Sequence, residues 1–466
     1  MKNGFYIICF LGLFPIDLRS QITLQIAAMP QLTPIFDDLY VAGNFNDWNP
    51  GDPSYQLTEN NGTFSIAISA QAGDLLEFKF TRGSWATVEG GATGEYIPNR
   101  NTAYTNGQTL SYEINGWEDL PGAHTVTPEV RILDSDMFLP QLERNRRVWI
   151  CLPEDYDLST DDYPVIYMHD AQNIFDQATS FAGEWEADES MQEALLGNCI
   201  RAILVGIDNG GSSRIDEYAP WINSEYQEGG EGAEFAGFIV QTLKPFIDSH
   251  FRTIPDRDHT AMIGSSLGAL ITMYTVIEYN DIFSGAALLS PAFWFNDGVY
   301  DFVESNPPAA ATKFYFVCGD NESAGLIGQT QQMHDIIEAA GISDANNVFQ
   351  VQSGGTHNEY WWSTYFPESV LSLLGCNNSA VEPEKQDDFF VYPNPAIDRI
   401  FISFNSGEFI DLEITDTIGK KFPVTTSPWS SSVDISGLTP GIYNLRVTRR
   451  SLDGNIQGST QTFIKK

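Results

Sequence analysis

Between residues 22 and 115, apolar positions alternate with polar ones in short runs, as at 39–42, 64–68 and 76–81. Gly, Asn, Asp and Pro separate the runs, so this stretch reads as a small β domain with turns between strands. From residue 129 the pattern changes. Unbroken apolar runs at 147–152, 164–168, 202–207, 260–263, 285–289, 313–318 and 348–351 have the character of strands buried on both faces. Between them, 184–196, 234–249, 267–277, 330–339 and 367–374 carry apolar residues at helical spacing. Strands alternating with helices from 129 to 375 predict a mostly parallel sheet covered by helices on both faces. Period-two alternation returns from 389 to 466 and predicts a small antiparallel sandwich. The polar stretches 116–128 and 376–388 read as linkers. The expected architecture is therefore multidomain: a central α/β domain flanked by two small all-β sandwiches.

At the N-terminus, Lys2 precedes an apolar run over 5–16 and then Ser20-Gln21, so residues 1–20 read as a signal peptide. That run is too short to span a bilayer, and no later segment qualifies as a transmembrane span. The net charge of −38 excludes nucleic acid, which needs a basic surface, and disfavours docking on anionic lipid. Loss of the leader removes Cys9. Cys151, Cys199, Cys318 and Cys376 are then too few for a disulfide framework, and their pairing is open. Neither an HExxH motif nor paired Cys/His spacing is present, so no metal or cofactor is expected.

Chemistry enters at AMIGSSLGAL, residues 261–270. Gly264-Ser265-Ser266-Leu267-Gly268 fits the G-x-S-x-G turn, in which small neighbours let a strained serine project its hydroxyl between a strand and a helix. The pattern is weak alone, and its placement carries it. Ser266 follows a predicted strand directly, at the end of a parallel sheet where sites form. Of six histidines, only His334 and His357 come after it. His334 falls inside a helical segment, whereas His357 ends the loop SGGTH beyond a strand and is the expected base. The acid should leave the strand at 313–318. Asp320 and Glu322 both qualify by position. Oxyanion donors are expected at the N–H of Leu267 and, from the turn HDAQN, at the N–H near Gln172. His169 precedes the serine and reads as structural.

Six stretches in order, YPVIYMHDAQNIFD, GIDNGGSSRIDEYAPW, FRTIPDRDHTAMIGSSLGAL, SPAFW, FVCGDNES and GGTHNEYWW, resemble one esterase family of α/β-hydrolases. That family groups enterobactin-esterase-like proteins, feruloyl and acetylxylan esterases, and mycolyltransferase antigens. The resemblance implies an α/β-hydrolase fold over 129–375 and a triad of Ser266, His357 and an acid at the position of Glu322. Ala171 and Ala269 stand where glycine is usual; both are small. A long loop, 209–234, with Arg214, Tyr218, Trp221 and Tyr226, reads as a lid or binding wall, and Phe293, Trp294, Trp361 and Trp362 could line a cleft.

In the N-terminal domain, GNFNDWNP, EFKFTRG and NR resemble starch- and glycogen-binding modules, which implies an immunoglobulin-like sandwich with a glycan face. Trp48, Lys79, Trp85 and Asn99 are the candidate carbohydrate-binding residues. The usual Trp-Glu dipeptide is replaced by Val88-Glu89. In the tail, YPNP, then DTIGK, then LTPGIY resemble the C-terminal sorting domain of type nine secretion substrates. This implies export across the outer membrane by that machinery, its partner, to the medium or the cell surface. The expected protein is a secreted serine carboxylesterase acting on acylated poly- or oligosaccharide. The same residues also allow a siderophore trilactone esterase or a non-catalytic glycan-binding surface protein.

Overall fold

The computed structural model describes residues 21–60, 62–69, 73–192, 200–375, 389–392, 399–404, 408–416, 419–422, 432–450 and 456–465. The expected leader, 1–20, and the linker 376–388 lie outside them. The chain divides between Ala123 and His124 into two compact units.

In the first unit, Gln21–Ala28 runs antiparallel to Thr63–Ser69 and parallel to Thr109–Glu113, in a four-stranded sheet completed by Thr58–Asn60. A second sheet joins Tyr40–Gly43, Leu75–Thr81 and Arg100–Ala103. Period two sets the core: Ile22, Leu24, Ile26, Phe78 and Phe80 are all buried. One boundary differs from the sequence expectation. Gly116–Trp117, read as linker, pairs with Glu89–Gly90. The buried Trp117 indole donates to Thr33 Oγ1 at 2.9 Å and lies under the Arg82 guanidinium. A lone tryptophan in a polar stretch gives no periodicity, so its anchoring role was hidden.

The second unit contains an eight-stranded sheet. Its strands are β1 (Val130–Leu139), β2 (Arg144–Cys151), β3 (Val165–His169), β4 (Ile203–Ile207), β5 (Thr260–Ser265), β6 (Gly285–Leu289), β7 (Lys313–Gly319) and β8 (Asn347–Gln352). The spatial order is β1-β2-β4-β3-β5-β6-β7-β8. Pairing is parallel from β4 to β8 and antiparallel at β1–β2 and β2–β4. β1 was not expected. Register shifts at Ile132/Asp134 and Asp134/Met137 bring Asp-Ser-Asp into the run and break its alternation. Because β4 lies on one side of β3 and β5 on the other, the sheet reverses its winding there. In such sheets, sites form at the carboxyl ends of the strands beside that reversal.

The helix Leu267–Glu278 buries every residue except Tyr274 and Glu278, which explains its nearly continuous apolar sequence. The segment expected as a helix over 184–196 is helical from Ala187 to Gln192; Glu186, at φ 51°, cannot extend it upstream, and 193–199 lie outside the described residues. The loop 209–234 is not structureless: it holds the short helix Arg214–Tyr218 and a bridge between Asn223 and Glu228. Cys151 and Cys318 are buried free thiols; Cys199 and Cys376 lie outside the described residues.

The tail forms two antiparallel sheets. One joins Phe389–Tyr392, Arg399–Phe404 and Ser432–Asp434; the other joins Lys421–Phe422, Glu408–Asp416, Gly441–Arg450 and Ile456–Lys465. Ile400, Ile414, Val433, Leu445, Val447 and Phe463 lie in its core.

Candidate active site

Ser266 sits between β5 and the helix Leu267–Glu278 at φ 55°, ψ −122°. A non-glycine residue there carries roughly 1–3 kcal/mol of strain and persists only where its surroundings hold it. Its N–H donates to Leu289 O at 3.0 Å, and its carbonyl accepts from Ala292 N at 3.0 Å and Ala269 N at 3.1 Å. Gly264 is required because a Cβ there would fall 2.3 Å from Gly268 O.

The ends of β7 and β8 supply the partners. His357 Nε2 lies 3.0 Å from Ser266 Oγ, and His357 Nδ1 lies 2.7 Å from Glu322 Oε2. An Nδ1–H donating to the carboxylate leaves Nε2 free to accept the serine proton. Glu322, not Asp320, meets the imidazole. Its side chain is 2 % exposed, and Oε1 also accepts from Ser290 Oγ at 2.7 Å and Gly319 N at 2.8 Å. Burial pushes the Glu322 carboxyl up, but bonds from His357, Ser290 and Gly319 outweigh it and hold the group below its ordinary value. Asp320 instead fastens the histidine loop, its Oδ1 accepting from Gly354 N at 2.6 Å. That loop meets β7 backbone to backbone, since a Cβ on Gly319 would fall 2.2 Å from Gly355.

The N–H groups of Leu267, at the first position of its helix, and Gln172, in the turn Ala171–Asn173, have no intrahelical acceptors by position. Asp170 precedes this turn in left-handed conformation (φ 59°, ψ 43°) and is clamped by Arg214 Nε at 2.6 Å and Nη2 at 2.9 Å, and by Asn209 Nδ2 at 2.7 Å. Reciprocal bonds between the Gln172 amide and the Asn209 backbone, at 3.2 and 3.0 Å, fix the turn further. It packs against the elbow: a Cβ on Gly268 would lie 3.4 Å from His169 Cβ. His169 itself is buried beside Tyr218 and Phe235, and burial lowers its pKa to about 4, so the ring is neutral.

One supporting residue, Ser290, escaped sequence reasoning, and another, Trp362, was read only as a candidate cleft wall. Ser290, fully buried at φ 46°, donates to Glu322 and accepts from Trp362 Nε1 at 2.9 Å. The Trp362 ring meets His357 edge-on at 4.9 Å. The only sequence signals were the serine opening SPAFW and the second tryptophan of EYWW. Of the four aromatics expected to line a cleft, Phe293, Trp361 and Trp362 are buried and Trp294 is exposed, meeting Tyr226 of the 209–234 loop at 6.4 Å.

In the first unit, Trp48 and Trp85 pair at 6.3 Å, and Trp85 is 45 % exposed. Asn99 is exposed. Lys79 departs from the expectation. It is 3 % exposed, and its ammonium lies against the Tyr96 ring and 4.0 Å from Glu118, so it serves the interior. Tyr96, which was not singled out, is exposed above it. Glu89 is fully buried and paired with Arg100 at 2.7 Å.

A parallel sheet with a strained serine at one strand end, bonded in series to a histidine and a buried carboxylate, defines a serine hydrolase of the α/β class. Residues 140–373 match the family described as "Putative esterase", and the chain belongs to that family of carboxylic ester hydrolases. Residues 390–458 match the secretion system C-terminal sorting domain, which marks the chain for export or the cell surface. The chain is 22 % identical over 249 residues to the uncharacterized protein YbbA of Bacillus subtilis, covering 51 % of this chain and 96 % of that one. Its N-terminal region resembles an alpha-amylase of Niallia circulans, 39 % identical over 102 residues, 22 % of this chain but only 8 % of the amylase. An endo-1,4-beta-xylanase/feruloyl esterase of Xylanibacter ruminicola is 25 % identical over 216 residues, 46 % of this chain and 26 % of that protein. Among solved structures, an IroE-like serine hydrolase from Shewanella oneidensis is 20 % identical with a TM-score of 0.42, covering 52 % of this chain and 79 % of that one. No described helix is long and apolar enough to cross a membrane.

Proposed function

We propose that the protein is a secreted serine carboxylesterase that removes feruloyl- or acetyl-type acyl groups from carbohydrate, with the N-terminal module holding it near its polymer. The carrying observation is the series Ser266–His357–Glu322, at 3.0 and 2.7 Å. His357 takes the Ser266 proton as Oγ attacks the ester carbonyl, and Glu322 steadies the imidazolium. The N–H groups of Leu267 and Gln172 receive the oxyanion. His357 then gives that proton to the departing sugar oxygen as the carbonyl–oxygen bond breaks, so the sugar leaves as an alcohol and an acyl-serine remains. Water, deprotonated by His357, releases the acid and restores the serine.

The glycan assignment rests on the pairing of the exposed Trp85 with the half-buried Trp48 and on the likeness of the N-terminal region to an amylase segment. An indole pair suits the apolar face of a pyranose. Purified protein is tested on methyl ferulate, p-nitrophenyl acetate and acetylated and feruloylated glycans, and by pull-down on insoluble starch. The expected result is ester cleavage lost in Ser266→Ala and starch retention lost in Trp48→Ala. Equal rates for native and Ser266→Ala would sink the enzymatic reading; unchanged retention would sink the glycan one.

A further inference from the structure

We propose that Glu184, Asp188 and Glu189 hold a divalent cation of the hard, oxygen-seeking class, calcium in particular, which staples residues 124–127 to the hydrolase sheet domain. One ligand oxygen from each carboxylate lies within 4.8 Å of the others, about the span of two calcium–oxygen bonds.

A cluster of acids alone would mean little; the unmet oxygens point to a ligand. Asp188 is fully buried. Its Oδ2 accepts from Thr127 N at 2.8 Å, while its Oδ1 meets no donor among the described residues. Glu189 Oε2 is likewise buried without a donor among them. The Asp188 and Glu189 side chains meet each other there, an arrangement that is unfavourable unless a proton or a cation lies between them. The surroundings do not supply it. Asp176 lies close by and is matched to His124 at 2.7 Å, and Glu186 adds a further negative charge.

The same carboxylates gather the first residues of the second unit. Thr125 donates its N–H to Asp176 Oδ1 at 3.2 Å and its hydroxyl to Glu184 Oε1 at 2.9 Å, next to the Thr127 bond. A cation would fix this clasp where the chain enters the domain. An all-oxygen site has no Cys/His spacing, which is why a search for metal motifs passes over it. A secreted protein meets calcium at concentrations that such sites bind.

The test uses the full chain, freed of cations with EDTA and titrated with CaCl2. The melting temperature is expected to rise saturably, by roughly 5 °C at a hundredfold excess over Kd. Terbium should give luminescence sensitised by Trp185, the neighbour of Glu184. Glu189→Gln and Glu184→Gln should each weaken calcium binding by about tenfold or more. Ester cleavage is not the readout, so the outcome is independent of the catalytic proposal. A melting temperature indifferent to calcium would overturn the proposal, as would a native-like response in both variants, which would put the ion elsewhere. So would a Glu189→Gln protein that melts higher than the calcium-blind native chain, the mark of a carboxyl pair sharing one proton.

Discussion

The mouth of the hydrolase sheet and the aromatic face of the N-terminal module are both candidate sites, yet they are built in opposite ways. At the sheet mouth, each group is specified by another. Ser266 is held by Leu289 and Ala292, His357 by Glu322, and Glu322 by Ser290 and Gly319. On the module, Trp85 keeps its ring in solvent beside the half-buried Trp48, and the polar residues Lys79 and Glu89 are spent on the interior. Proton transfer needs donor and acceptor within a fraction of an ångström, so it demands a buried supporting shell. Stacking on a sugar tolerates looser geometry and needs only exposed, rigid rings.

That contrast can be broken at several depths. Ser266→Ala should abolish esterase activity, a fall of roughly 10³-fold or more in kcat, while glycan retention stays native. Glu322→Gln should lower kcat by about 10²- to 10⁴-fold by upsetting the imidazole tautomer, with little change in KM. It should also alter acid stability. The folded carboxyl lies below its ordinary value of 4.5, so its contribution is full above that pH and is lost as pH falls through the folded value. The variant should therefore show a shallower loss of stability than the native chain in acid unfolding below about pH 4.5.

Smaller effects sharpen the comparison. Ser290→Ala removes one bond to a charged group and should cut kcat roughly tenfold with KM unchanged. Trp85→Ala should weaken retention on glycan by up to about tenfold and leave hydrolysis of a small soluble ester untouched.

How much was legible follows from the same physics. The order of strands from 147 to 351 could be read because buried parallel strands are apolar throughout, leaving long unmixed runs; the helix Gly298–Ser305 was missed. The serine and histidine could be read because chain order and strand-end placement restrict them. Choosing Glu322 over Asp320 needed the family pattern, since both leave the same strand end; geometry separates them by giving Asp320 to Gly354 and Glu322 to His357. Ser290 and its bond from Trp362 were invisible because that contact joins residues 72 positions apart. β1 was missed because its bulges interrupt the pattern, and Lys79 was misread because sequence does not say which way a lysine on a strand will turn.

The meeting of Gly319 and Gly355 has a consequence for how such an enzyme could change its diet. With no room between the two backbones, a single enlarged residue at either position forces the whole histidine loop off its seat. Tyr226 and Trp294 carry no such penalty, since both are exposed. New substrates are thus accommodated by redecorating the rim, while the floor has to be inherited intact.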